Sequence, residues 1–194
     1  MSVKKKTDNF HKVTVLLLGI TSFLINIGLG QIPSIVIPPA SQAIAQGGTA
    51  YFSVTTSGAL PITYTWTWFR NGLPPTQYYQ ASLNSTNCTI VITNLQSSDA
   101  GFLNLETQNA YGYGPGKQAA IAVISSGMAT NGFVLTVYGL TNSTWTVNCT
   151  TNLNPPQWFT LTNFSVPNYP PVVQFVDLEA TNLNRFYEVI PTVY

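Results

Sequence analysis

The chain has 194 residues, of which 45% are hydrophobic and only 7% are charged. Four of its seven cations and its single histidine lie within the first twelve residues, so from Gln31 onward three cations face five anions and the net charge is −2. Three scattered cations cannot displace phosphate counterions, which excludes a nucleic-acid-binding protein. Without histidine, that part of the chain also lacks histidine-based general-base catalysis and histidine metal ligands.

Residues 1–30 have the features of an export signal. A lysine-rich segment (4–12) precedes an uncharged apolar run (13–25), and Gly28 and Gly30 supply small residues before a cut at Gln31. The alternative is a retained membrane anchor, because residues 13–29 are uncharged and reach the short limit for a spanning helix. We therefore expect a secreted or cell-surface protein, with no membrane span in the mature chain.

Residues 31–125 are predicted to form the first of two β domains. Apolar and polar residues alternate instead of recurring at helical spacing, and asparagine and glycine separate the runs. A hairpin is predicted between 102–109 and 117–124, with a glycine-rich tip at 110–116. Three strands show the alternation most clearly, with one face formed by Ala50, Phe52 and Val54, by Tyr64, Trp66 and Trp68, and by Cys88, Ile90 and Ile92.

The small polar residues 126–132 are predicted to form a linker to a second, small antiparallel β domain at 133–194. A unit of about 60 residues is small for a hydrophobic core of its own, so this domain is expected to pack against the first. The predicted fold class is therefore all-β, a β-sandwich followed by a small β domain. The strand candidates of the second domain are 133–138, 144–150, 158–161, 172–177 and 185–190.

Short motifs in residues 32–124 carry a family resemblance. They are GTAYFSV at 48–54, the tryptophan strand closed by Asn71–Gly72, IVITNL at 90–95, DAG at 99–101 and NAYG at 109–112. In this order they resemble an immunoglobulin-like module of the intermediate-set kind, in the version common in bacterial secreted proteins. The resemblance implies structural core positions at Val54, Trp66, Trp68, Ile90, Ile92, Asp99 and Leu105.

Three features depart from this family's pattern. The two family cysteines fall at Val54 and Leu105, so the disulfide between the sheets is missing and an apolar pair replaces it. The corner tyrosine of the family is Leu103 here, so its hydroxyl cap is lost. The tryptophan strand is lengthened by two residues, so Trp66 and Trp68 both qualify as the core tryptophan, and both are expected to face inward.

The second domain carries a weaker set of motifs. FVLT at 133–136, WTVN at 145–148, TTNL at 150–153 and the closing RFY at 185–187 resemble a short β module often found at the carboxyl end of bacterial secreted proteins. This resemblance implies an architecture and no activity.

The five acids after residue 30 offer little catalytic chemistry. Asp99 is explained by a turn, while Asp177 and Glu179 either bind a cation weakly or form a turn at a strand end. No serine or cysteine can be matched with a histidine base, and Lys117 lies at the base of a hairpin. We therefore expect no enzyme, no catalytic residue, no metal and no cofactor, although a hydrolase with two acids within about 10 Å stays an alternative.

Cys88 and Cys149 are the only cysteines. An oxidising compartment would allow a disulfide between them, provided that their Cα atoms lie within about 7 Å across the domain boundary. Each cysteine also shares its strand face with apolar core residues, and on that interpretation both are free and buried.

Exposed aromatic side chains are the remaining candidates for a binding site. Tyr111 and Tyr113 flank glycines in the predicted hairpin tip, and Tyr78 and Tyr79 follow a proline pair. Tyrosines on loops supply rigid contact area for proteins and stack on sugar rings. Tyr111 and Tyr113 are the predicted contact site, and the alternative is that they pack back on their own hairpin.

These features together predict an exported, non-catalytic protein for binding, adhesion or envelope scaffolding, whose partner is a protein or a glycan at the cell surface. The alternative is a carbohydrate-binding module, which would present Tyr78, Tyr79, Tyr111 or Tyr113 as a flat exposed row.

Overall fold

The computed structural model describes residues 30–168, 170–180 and 184–192, without the side chains of residues 78–82. Apart from Gly30, the predicted signal peptide lies outside these residues. The described residues form strands and one 3₁₀ turn, Ser97–Asp99, which confirms the all-β prediction. None of their helices is long and apolar enough to cross a membrane. The strands are β1 (Ser34–Ile37), β2 (Gln42–Ala45), β3 (Ala50–Ser57), β4 (Ile62–Arg70), β5 (Thr76–Leu83), β6 (Asn87–Ile92), β7 (Gly101–Asn109), β8 (Gly112–Tyr113), β9 (Lys117–Ala129), β10 (Gly132–Tyr138), β11 (Thr144–Thr150), β12 (Phe159–Ser165), β13 (Val172–Asp177) and β14 (Phe186–Pro191).

These strands make three sheets. Sheet A has the order β1-β3-β6, and sheet C has the order β12-β11-β14. Sheet B is larger, with the order β13-β10-β9-β7-β4-β5 and with β2 beside β9 and β8 beside β7. The pairing of β2 with β9 is parallel, and the other strand pairings within the described residues are antiparallel.

Sheet A packs on one face of sheet B and encloses the first hydrophobic core. The alternation in the sequence produces this core, because every second residue of β3, β4 and β6 points inward. The two tryptophans of β4 are both buried, Trp66 completely. Of the predicted core positions, this cluster contains Val54, Trp66, Trp68, Ile90, Ile92 and Leu105.

Asp99 does not belong to that core, contrary to the prediction. It ends the 3₁₀ turn, where its carboxylate accepts a hydrogen bond from the Gln96 backbone N–H at 2.8 Å and lies 3.6 Å from the Arg70 guanidinium. A carboxylate needs such polar partners, so the side chain stays half-buried at the rim of the sandwich.

Strand β9 is shared by two hydrophobic cores. Ala119, Ile121 and Val123 pack into the first core, whereas Ala120 and Ala122 face the opposite side of sheet B and pack into a second. Burial on both faces explains why residues 119–124 read as one unbroken apolar run instead of alternating.

The second core lies between sheet B and sheet C. Trp145 of β11 is completely buried there, and its indole N–H donates to Ser143 Oγ at 2.7 Å. Besides the two alanines of β9, this cluster contains Leu135, Val137, Trp145, Val147, Val166 and Val189. Sheet B is therefore a wall of both cores.

Residues 126–132, predicted as a linker, form the end of β9, a turn at 130–131 and the first residue of β10. Ala129 pairs with Gly132 across this turn, and β9 pairs with β7 through residues 117–121 and with β10 through residues 123–129. Small polar residues suit an exposed hairpin as well as they suit a linker. The strands predicted at 158–161 and 185–190 are observed as β12 and β14, each shifted toward the carboxyl end.

Candidate functional site

One end of the sandwich brings together three segments that are distant in sequence. The hairpin of β7 and β8 turns at Tyr111, with Asn109 paired to Gly112 and Gln108 paired to Tyr113. The connection between β3 and β4 and the segment that precedes β1 lie beside this hairpin. We call this surface, formed by residues 30–33, 58–61 and 109–116, the loop end.

Asn109 holds the three segments of the loop end together. Its amide Nδ2 donates to the backbone oxygens of Gln31 at 2.7 Å and Ala59 at 2.8 Å, and its Oδ1 accepts the backbone N–H of Tyr111 at 2.9 Å. The N–H of Ala59 also donates to the oxygen of Gln31 at 3.0 Å. The amide of Asn109 thus positions the hairpin tip on the two neighbouring segments.

The glycine-rich tip of the hairpin has a steric reason. A Cβ atom on Gly114 would overlap the backbone oxygen of Pro33 and the hydroxyl of Thr107, because the first described segment runs directly against the hairpin. In the same way, a Cβ atom on Gly30 would overlap the ring of Tyr111. Glycine at both positions allows this close approach.

The loop end exposes apolar side chains and contains no charged residue. Tyr111 is 56% exposed and Tyr113 69% exposed, and Ile32 and Leu60 are exposed beside them. We call these four side chains the loop-end patch. Exposed apolar side chains gathered at one place mark contact surfaces more often than scattered ones do.

The tyrosines predicted for this site lie on two separate elements. Tyr111 and Tyr113 share the loop end, where Tyr111 packs partly on Gly30. Tyr78 and Tyr79 lie on β5, where Tyr79 pairs with Trp66 of β4, and their side chains are outside the described part of the chain. Ile32 and Leu60 were not predicted, because the long-range contacts that bring them here leave no local pattern.

A group of polar side chains connects sheet B to sheet C. It was not predicted from the sequence. Arg185 donates to Asp177 at 2.7 Å and to Glu179 at 2.9 Å, and the Tyr187 hydroxyl donates to Asp177 Oδ2 at 2.8 Å. The ring of Tyr187 stacks on Phe133 with centroids 4.4 Å apart. The sequence showed Asp177 and Glu179 as a pair. It did not show their contact with Arg185, because that contact depends on how the chain places Arg185 beside the end of β13.

The two carboxylates of this arrangement are held by hydrogen bonds and ion pairs within the chain. Asp177 also accepts the backbone N–H of Glu179 at 3.0 Å, so the acids form a turn at the end of β13, the second of the two alternatives above. No group of three or more metal-ligating side chains comes together within the described residues. Burial, followed by the hydrogen bond to Asp177, raises the pKa of Tyr187 well above its ordinary value.

A cavity of about 610 Å³ runs along β14 next to this arrangement. Its walls include Ile124 and Phe133 of sheet B and Phe186, Tyr187 and Ile190 of β14.

Both cysteines are free and buried, Cys88 in the first core and Cys149 on β11 in sheet C.

Comparisons with known proteins address the first part of the chain. Residues 32–109 match the family model described as the immunoglobulin domain. No curated protein matches the chain.

Solved structures similar to the chain include two of titin and one of twitchin. A chimeric titin Z1Z2 carrying a peptide from decorin is 25% identical, with 48% of this chain and 95% of that chain covered and a TM-score of 0.38. Titin domain M7 is 20% identical, with coverages of 50% and 98% and a TM-score of 0.42. The twitchin kinase region from C. elegans is 17% identical, with coverages of 48% and 16% and a TM-score of 0.40. With the match to the family model and the two packed sheets, residues 32–109 form an immunoglobulin-like domain, and a further β region follows it.

Proposed function

We propose that this chain is an exported, non-catalytic binding protein that contacts a protein partner through the loop-end patch. The observation that carries the proposal is the gathering of Ile32, Leu60, Tyr111 and Tyr113 as exposed side chains on one uncharged end of an immunoglobulin-like domain. Tyrosines anchored on a rigid scaffold supply the large contact area that dominates protein interfaces. Adhesion or scaffolding at the cell envelope is the role that such contacts would serve.

The chemistry of the patch favours a protein over a sugar. Ile32 and Leu60 lie beside the tyrosines, and aliphatic side chains suit an apolar protein surface. The polar side chain at the centre of the loop end, Asn109, already uses its donor and acceptor within the chain. Besides Asn109, the loop end offers to sugar hydroxyls only the side chains of Gln31, Tyr111 and Tyr113.

Capture of partners by immobilised protein tests this proposal. A double variant, Tyr111→Ala with Tyr113→Ala, is immobilised beside the unchanged protein. Each is offered the cell-surface proteins of the producing organism and a glycan array, and the captured molecules are compared. Tyr51→Ala is the matched control, because Tyr51 is 61% exposed and lies on the outer face of β3, far from the hairpin in sequence.

We expect a protein that the unchanged chain and Tyr51→Ala capture equally and that the double variant fails to capture. Equal capture by all three forms, or capture of glycans alone, would contradict the proposal. Circular dichroism and the Tm confirm that each variant is folded before capture is compared.

A further inference from the structure

The segment before β1 covers part of the proposed site. The backbone at Gly30 lies so close to the ring of Tyr111 that a single added methyl group would overlap three ring atoms. Gly30 therefore lies against one side of the Tyr111 ring, although Tyr111 as a whole residue is still 56% exposed. A partner that approaches this side of the ring meets the Gly30 backbone first.

Gly30 and Gln31 differ in how they are held. The backbone oxygen of Gln31 accepts two hydrogen bonds, from Asn109 Nδ2 at 2.7 Å and from Ala59 N at 3.0 Å. A Cβ atom on Gly58 would lie 3.3 Å from the same oxygen and 3.1 Å from Pro33 Cα, so the segment runs close to Gly58. Among the described residues, the first backbone hydrogen bonds of this segment are those to the Gln31 oxygen, whereas the contact on the ring belongs to Gly30.

We propose that cleavage of the Gly30–Gln31 bond completes the loop-end patch by uncovering the ring of Tyr111, so that the binding site forms on export. This inference rests on the proposed function and on the cut predicted from the small residues at 28 and 30. An export peptidase and one water molecule supply the chemistry: water adds to the Gly30 carbonyl carbon and the C–N bond breaks. Gly30 leaves with the new carboxylate, and Gln31 keeps the new amine.

The hydrogen bonds to the Gln31 oxygen explain why the cut uncovers the ring without releasing the strand. After cleavage Gln31 keeps both hydrogen bonds to its backbone oxygen, so Ile32 stays in the patch. The new terminal ammonium takes the place of the amide that led to Gly30. An ammonium prefers water to an apolar surface, so it turns outward and leaves the ring free.

Hydroxyl-radical footprinting with mass spectrometry measures ring exposure without any partner. Two forms are compared: the chain beginning at Gln31 and a chain that retains residues 28–30. Both contain every residue of the two hydrophobic clusters. Tyr113 and Tyr51, exposed in the presence of Gly30, are the internal controls.

We expect the oxidation rate of Tyr111 to be higher in the form that begins at Gln31, by less than about two-fold because more than half of the residue is already exposed. The rates of Tyr113 and Tyr51 stay the same. Equal Tyr111 rates in the two forms would overturn the inference, as would a parallel rise at all three tyrosines. The mass of the exported chain is the second measurement: a chain that begins at Gln31 supports the inference, and one that retains Gly30 overturns it.

Failure of the proposed function gives a different result from failure of this inference. If the patch binds nothing, the footprint still changes and capture is absent in both forms. If Gly30 does not cover the ring, the footprint is unchanged and both forms capture the partner equally.

Discussion

Cys88 of β6 lies directly opposite Val54 of β3 in the antiparallel pairing of sheet A. In the immunoglobulin-like pattern, the residue at Val54 would be a cysteine bonded across the core to the position of Leu105. This chain has a cysteine next to that place, on a neighbouring strand of the same sheet, but the partner position across the core is Leu105, so Cys88 does not replace the missing bridge. Both positions of the bridge are instead filled by buried apolar side chains.

The first prediction concerns the thiols. We expect reducing agents to leave the Tm unchanged, because Cys88 and Cys149 are free. We also expect Cys88 to react with a thiol reagent only after unfolding, since burial raises the pKa of its thiol and shields it from reagent. Thermal melts with and without reductant, and a labelling time course, measure both effects. Immediate labelling of Cys88 in the native protein would contradict the prediction.

The second prediction concerns the strand shared by the two cores. Leu135→Ala removes a buried side chain of the second core and should cost about 2–5 kcal/mol of unfolding free energy. Because β9 forms part of both cores, the first core should be destabilised equally. Thiol labelling along a denaturant gradient reports on this, with Cys88 as the probe of the first core and Cys149 as the probe of sheet C.

The matched control is Leu178→Ala, since Leu178 is exposed and its removal should change the unfolding free energy by less than about 0.5 kcal/mol. Separate transitions at Cys88 and Cys149 in the Leu135→Ala protein would show that the cores unfold independently.

The third prediction concerns Asn109. Asn109→Asp replaces the amide donor with a carboxylate oxygen that faces the backbone oxygens of Gln31 and Ala59. Loss of these hydrogen bonds, and repulsion in their place, should cost about 1–3 kcal/mol and displace the segment before β1. Asn109→Ala should cost less, because it leaves no negative charge. Urea unfolding curves of the two variants give the order, and a more stable aspartate variant would contradict it.

The fourth prediction concerns alkaline pH. The pKa of Tyr187 is raised in the folded protein, so the unfolded chain releases this proton first as pH rises. Its contribution to stability is complete below the unfolded value, about 10, and is lost as pH rises above it. Tyr187→Phe should lower stability at pH 7 by about 1 kcal/mol, through loss of the hydrogen bond to Asp177, and should flatten the alkaline decline.

Unfolding free energies between pH 8 and 11, at several points, measure that decline. Some slope should remain in the variant, because burial also raises the pKa of Tyr64. An equally steep decline with and without the Tyr187 hydroxyl would contradict the assignment.

Local alternation predicted the strands of the first domain well. Residues such as Phe52, Trp66 and Ile90 follow a period of two, which is the geometry of a strand with one buried face. The same rule does not say what covers the second face of a strand, so the apolar run at 119–124 did not reveal a second core beneath sheet B.

The candidate site was predictable only in its local part. Glycines around Tyr111 and Tyr113 indicated an exposed tip, and both side chains are exposed. Ile32 and Leu60 reach the same end through the hydrogen bonds of Asn109, which connect residues far apart in sequence. The same limit applies to Arg185, whose carboxylate partners are fixed by the turn after β13.

The double role of β9 also affects how such a gene could be rearranged. A truncation after residue 125 would cut through a hydrogen-bonded strand and leave Ala120 and Ala122 without the side chains that cover them. A carboxyl-terminal piece that begins at residue 126 would lose residues 123–125 of β9, which pair with β10. The two halves of this chain therefore cannot be exchanged independently, because a fragment that keeps β9 intact must also keep β2, β7 and β10, the strands that pair with it.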